Sequence, residues 1–170
     1  MTKQKKEYRI YNVLFPIWML IFIPSPLWLL IIPGNYIIDR LVLYLSLKNY
    51  PERKAFCKQN TWKICLAGFG ADFIGAIFLF FLMTLETLFP EESAIAKALY
   101  GVSENPFSNV GSFIFVALAI IISGIIIYFL DKEILKRNGL EELQAKKSAL
   151  CMAIVTAPYL FLIPTTLLYD

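Results

Sequence analysis

Histidine is absent from all 170 residues, and only three cysteines occur. Without imidazole the chain lacks the commonest general acid and base, and zinc sites built from Cys and His have too few ligands. Cys57, Cys65 and Cys151 are dispersed. They form neither a two-cysteine redox motif nor a disulfide framework and read as small apolar residues. A carboxylate cluster of the kind used for Mg²⁺-dependent phosphoryl transfer is also missing. No metal or cofactor is expected.

Charge is scarce as well. Charged residues make up 17% and hydrophobic residues 58%, whereas soluble domains carry about 25% and about 45–50%. The apolar residues come in blocks, which excludes an ordinary soluble fold. The net charge of +3 needs no nucleic-acid partner, because the basic residues flank apolar runs, where anionic headgroups and topology explain them.

What is present is an alternation of basic clusters and long apolar runs. Residues 13–32, 64–85, 110–130 and 148–169 are each long enough to span a bilayer, and only Asp72 interrupts them with a charge. A shorter run, residues 36–47, holds Asp39 and Arg40 and would reach only about 18 Å as a helix. The expectation is an all-α, small polytopic membrane bundle forming one domain over residues 1–170. A proline-rich N-terminal hairpin or re-entrant segment is followed by three transmembrane helices.

Lysine and arginine set the expected orientation. Lys3, Lys5, Lys6 and Arg9 precede the first run. Lys48, Arg53, Lys54, Lys58 and Lys63 follow the short one, and Lys132, Lys136, Arg137, Lys146 and Lys147 separate the last two. Between Thr87 and Asn109 only Lys97 stands against Glu91, Glu92 and Glu104. The positive-inside rule then places the N-terminus and both basic loops in the cytoplasm, with Lys97 and Asp170 external, in the cell membrane. The basic start resembles a secretory signal, but its apolar run is too long and lacks a small-residue cleavage site, so it is expected to stay as an anchor.

Pro16, Pro24, Pro26 and Pro33 crowd the first arm. Pro33-Gly34-Asn35 is the favoured hairpin turn, and Pro24-Ser25-Pro26 is the alternative, giving a shorter first arm and a longer second. Farther on, Pro90, Glu91 and Glu92 predict a short surface helix from Glu91 to Tyr100 ending at Gly101. Asn138-Gly139 predicts a helix stop after Arg137, with the last helix starting near Leu140 and Glu142 paired to Lys146.

Small residues recur every fourth position at Ala67, Ala71 and Gly75, and again at Ala149, Ala153 and Ala157. Such ridges let membrane helices approach closely, so the two segments are expected to touch along them. Asp72 projects from the same smooth face. Asn35 and Asp39 form a polar stripe on the short run, and Arg40 lies beside them. Arg40 and Asp72 sit at equal depth, about 12–14 Å from the basic boundary, so they are expected to pair. The alternative for Arg40 is that its long side chain snorkels to the interface.

These residues support three functional readings. The first is a small transporter or ion-pathway component using Asp72, Arg40, Asp39 and Asn35. The alternative is a non-catalytic membrane subunit, packed with a second copy or another membrane protein besides the lipid bilayer. The third is an intramembrane enzyme. Tyr36-Ile37-Ile38-Asp39 and Gly68-Phe69-Gly70-Ala71-Asp72 resemble the motifs of intramembrane aspartyl proteases, which join Tyr to Asp directly and place Asp after Gly-x-Gly. Ala71 and the gap between Tyr36 and Asp39 break both motifs.

Overall fold

The computed structural model describes residues 16–22, 26 and 28–168. It is a helical bundle with no strand among the described residues. Its α-helices are α1 (Trp28–Ser46), α2 (Arg53–Glu86), α3 (Ala94–Glu104), α4 (Val110–Arg137) and α5 (Glu142–Val155). Four helical stretches are long and apolar enough to cross a membrane: α1, α2, α4, and α5 extended to Leu162. The expected count was three after a hairpin. The difference lies in α1.

The favoured turn at Pro33-Gly34-Asn35 does not form, because α1 runs straight through Pro33. A proline so close to a helix start removes one backbone bond, whereas a turn there would strand several polar groups with no water to satisfy them. Joining the pieces also solves the length problem: nineteen residues reach about 28 Å, against about 18 Å for the short run alone. Residues Ile17–Ile21 form a 3-10 turn instead. The Trp18 indole donates to the Val102 carbonyl at 3.2 Å, and the Trp28 indole donates to Leu20 O at 2.9 Å. In the alternative turn, Pro24-Ser25-Pro26, Pro24 and Ser25 lie outside the described residues, as do Lys3, Lys5, Lys6, Arg9 and Asp170.

Helix ends follow local chemistry. α4 stops at Arg137, and Gly139 adopts φ +100°, the left-handed conformation that glycine tolerates. Lys63 Nζ donates to Asn138 Oδ1 at 2.7 Å, tying α2 to that stop. Glu142 and Lys146 pair at 2.8 Å. The surface helix expected from Glu91 to Tyr100 is displaced to Ala94–Glu104. Ser93 accepts from Ala96 N–H at 3.1 Å, and a side-chain cap fixes the start better than the upstream proline does. Gly101 does not end this helix. A Cβ there would lie 2.1 Å from Ser112 Oγ, so the glycine permits close approach of α3 to α4.

The last run is also shorter than expected as a regular helix. Pro158 cannot donate to Ile154 O, and α5 ends at Val155 before a 3-10 turn, Tyr159–Leu162. The Tyr159 hydroxyl donates to the freed Ile154 carbonyl.

α4 is the spine of the bundle. Ala71 and Gly75 lie against it: Ser123 Oγ donates to Ala71 O at 3.1 Å, and a Cβ on Gly75 would stand 2.2 Å from Ser123 Oγ and 3.2 Å from Ala119 O. On the neighbouring face, a Cβ on Gly124 would lie 3.5 Å from Ala153 O. The two small-residue ridges therefore do not form the expected interface between α2 and α5; both helices pack instead on α4, which is joined to α5 by a short loop. Ala149 is buried, while Ala67 and Ala157 are half-buried at the ridge ends.

Apolar packing forms two clusters. One lies at the end bearing the basic loops and includes Leu43, Ile64, Leu135 and Met152. The other lies at the α3 end and includes Trp18, Leu79, Val102 and Val116. A Gly75→Val variant should lower thermal stability in detergent by about 1–3 kcal/mol through overpacking. An unchanged melting temperature would show that α2 and α4 can separate freely at this point.

Candidate functional site

Asn35 and Asp39 lie one helical turn apart on α1, and that face continues into the buried Val42, Leu43 and Leu47. Asp39 is therefore carried inward and is only 6% exposed. Arg40, the next residue, is rotated by about 100° and lies on the exposed perimeter beside Leu41. The expected Arg40–Asp72 ion pair is absent. Adjacent residues cannot share one helix face, and the apolar stripe buries Asp39. Arg40 stands within electrostatic reach of Cys57 near the basic end, as the snorkelling alternative requires.

Asp72 approaches the same interior from α2. Its Oδ1 is fully buried with no hydrogen-bond partner. Asp39 is close enough to act on it electrostatically, and Cys65 lies beside the Asp39 carboxyl. Asn35, Asp39 and Asp72 share one cavity of about 620 Å³. Gly68 lines it too, and a Cβ there would meet nothing within 4 Å. This glycine leaves space open rather than allowing helices to touch.

The opposite wall is the break after α5. Val155, Thr156 and Pro158 line the cavity, with Phe161 closing it toward α4. Thr156 donates both its backbone N–H and its hydroxyl to Met152 O, at 2.8 and 2.9 Å. The C-terminal end of a helix carries partial negative charge. Two carboxyl groups thus share a low-polarity hollow with a helix terminus that favours cations.

A third carboxyl group escaped the sequence reading. Asp131 is 1% exposed, and neither of its oxygens has a hydrogen-bond partner. Asp39 lies within electrostatic reach of it as well. The uncharged run ends at Leu130, and Asp131 falls in the helical extension toward Arg137, beside Lys132, where a carboxylate draws no notice. The signal that could have found it is the four-residue repeat Ser123, Ile127, Asp131, Leu135, whose members are all buried. Lys132 turns the other way, over the Tyr128 and Phe129 rings. Ser148 on α5 is another buried hydroxyl without a partner.

Among the described residues, no lysine or arginine pairs with any of the three aspartates; the ion pairs present are on the surface. No three His, Cys, Asp or Glu side chains among those residues converge as a metal-ligand set. Negative charges held this way repel one another, and burial removes the water that would screen them. Protons or an incoming cation would relieve the repulsion.

No protein-family model, curated protein or solved structure matches this chain.

Asp131 sets up a direct test. A buried carboxyl without partners opposes folding, so Asp131→Leu should raise stability in detergent by about 1–3 kcal/mol. A clear loss in the melting temperature of that variant would show that Asp131 holds a structural partner.

Proposed function

We propose that this protein is a small multi-pass membrane protein that moves a cation or a proton, with Asp72 and Asp39 as the groups that receive it. The observation that carries this reading is the cavity itself. It joins two inward carboxyl groups lacking a cationic partner to a broken helix, a combination that in membrane transporters surrounds coupling-ion and substrate sites. That parallel is an analogy of architecture.

The subunit reading would be favoured by a dry Asp72 paired with Arg40 and by an exposed small-residue ridge. Asp72 instead stands on a hollow, Arg40 is on the perimeter, and Ala71, Gly75, Ala149 and Ala153 are covered within the bundle. The protease reading ranks third. Tyr36 lines a different hollow from the one that Asp39 and Asp72 share.

The proposed orientation in the cell membrane follows the basic loops. The loops around residues 47–52 and 138–141 face the cytoplasm, and α3 and the C-terminus face outside. Cys57 is unsuited to report this because it is 1% exposed. Lys97 and Lys136 have side chains 63% and 51% exposed. In a background with all three cysteines replaced by serine, Lys97→Cys should react with an impermeant thiol reagent in intact cells, and Lys136→Cys only after lysis. The opposite pattern would invert the topology.

Transport is tested with purified protein in liposomes under an imposed proton or sodium gradient. Flux should exceed that of empty liposomes, and Asp72→Asn should reduce it at least tenfold while the melting temperature stays at or above that of the parent. Absence of flux under either gradient would return the protein to the subunit reading.

A further inference from the structure

The acidic cavity shares a wall with a second hollow. Between α1 and α2 lies an apolar groove of about 830 Å³. Ile32, Ile37, Leu66 and Phe73 line it and are exposed at the perimeter of the bundle, so in a bilayer this groove opens to the acyl chains. Ile21, Trp28, Cys65 and Phe69 line both hollows. The partition between lipid and carboxyl groups is thus only one side chain thick.

At its centre the Trp28 and Phe69 rings stack, with centroids 6.4 Å apart and planes 8° from parallel. The Trp28 indole is tethered by its hydrogen bond to Leu20 O. Phe69 is less confined. Its neighbours in sequence are Gly68, on the cavity side, and Gly70, on the groove side, and a Cβ at either would meet nothing within 4 Å. Glycines on both flanks leave the Phe69 ring room to swing without displacing backbone.

We infer that the cavity binds an amphiphilic organic cation, an ammonium or phosphonium with an apolar body, admitted sideways from the bilayer between Trp28 and Phe69. This rests on the reading above in taking the acidic cavity as the ligand site, and it names the ligand class. The charge requirement comes from Asp39 and Asp72, which line the cavity without a basic partner, Asp72 keeping a buried oxygen unbonded. The amphiphilic requirement comes from the remaining wall, where Trp18, Trp28, Phe69 and Phe161 offer aromatic surface. An aromatic face attracts a poorly hydrated organic cation. A small hydrated metal ion would exchange its water for too few oxygen ligands. A volume of about 620 Å³ falls within the range of small-molecule sites, about 300–1,000 Å³.

The experiment is equilibrium dialysis of radiolabelled tetraphenylphosphonium against the full chain in lipid nanodiscs, with empty nanodiscs as baseline. Tetraphenylborate, of matching shape and opposite charge, serves as competitor. The expected result is saturable binding of about one cation per chain that tetraphenylborate does not displace. Asp72→Asn and Asp39→Asn should each weaken it about tenfold or more. In a chain whose only tryptophan is Trp28, prepared by Trp18→Phe and Trp62→Phe, the cation should alter Trp28 fluorescence. Phe69→Ala should speed both association and release. Equal competition by tetraphenylborate, or affinity unchanged in both aspartate variants, overturns the inference. Binding in the absence of flux would sink the transport reading and leave the ligand assignment standing. Gradient-driven flux without tetraphenylphosphonium binding would do the reverse.

Discussion

The close approach of α2 and α5 to neighbouring faces of α4 is the constraint on which the rest of the bundle depends. Ser123 and Gly124 are consecutive, so they face directions about 100° apart. One takes the smooth ridge of α2 and the other the α5 backbone at Ala153. In lipid, apolar side chains gain nothing by leaving the solvent for one another, and helices associate by close packing and by hydrogen bonds such as that from Ser123 to Ala71 O. With α2 and α5 held apart by α4, α1 and the Ile17–Ile21 turn close the open side. The hollow containing Asn35, Asp39 and Asp72 is what remains where that closure is incomplete.

The breaks in regular structure follow the same logic. At Pro33 the helix continues, because only one backbone bond is lost near its start. At Pro158 the helix ends, and the Tyr159 hydroxyl and the Thr156 side chain supply hydrogen bonds around the break. Irregular backbone at membrane depth is tolerated where protein or a polar cavity covers it. The break after α5 turns Pro158 and Phe161 inward, toward α4 and the Ile17–Ile21 turn, while Val155, Tyr159 and Leu160 stay exposed on its outer side.

Much of this was legible in the sequence wherever a signal was local or periodic. The stop at Asn138-Gly139, the Glu142–Lys146 pair and the inward stripe of Asn35 and Asp39 each follow from residues within a turn or two of one another. That Asp39 and Asp72 share a hollow was not legible, since the sequence marks them only as two separate polar interruptions of apolar runs. What was hidden depended on partners distant in the chain. Two equivalent small-residue ridges suggested each other, and nothing local revealed that α4 offers a small residue to both. Pro33 was ambiguous because a proline–glycine pair breaks a helix in water more readily than where backbone groups lack any other partner. Asp131 was hidden because it stands at the start of a charged helix end, beside Lys132 and Glu133, although the buried stripe continues beneath it to Leu135. Arg40 was misplaced because equal depth was allowed to stand for equal direction.

Four crossing helices are few to enclose a water-filled path, and the carboxyl groups inside so small a bundle lie close enough to act on one another. Asp72 and Asp39 meet at the cavity, and Asp39 also reaches Asp131. Asp131 lies on the last two turns of α4, toward the basic loops. Asp39 thus acts electrostatically on both other acids, Asp72 at the hollow and Asp131 near the end of α4. A ligand that reaches the hollow from the side needs no continuous aqueous channel through the bundle, only a thin aromatic partition and a place to leave its charge. Lateral entry therefore fits within four helices, whereas one wide pore would need more.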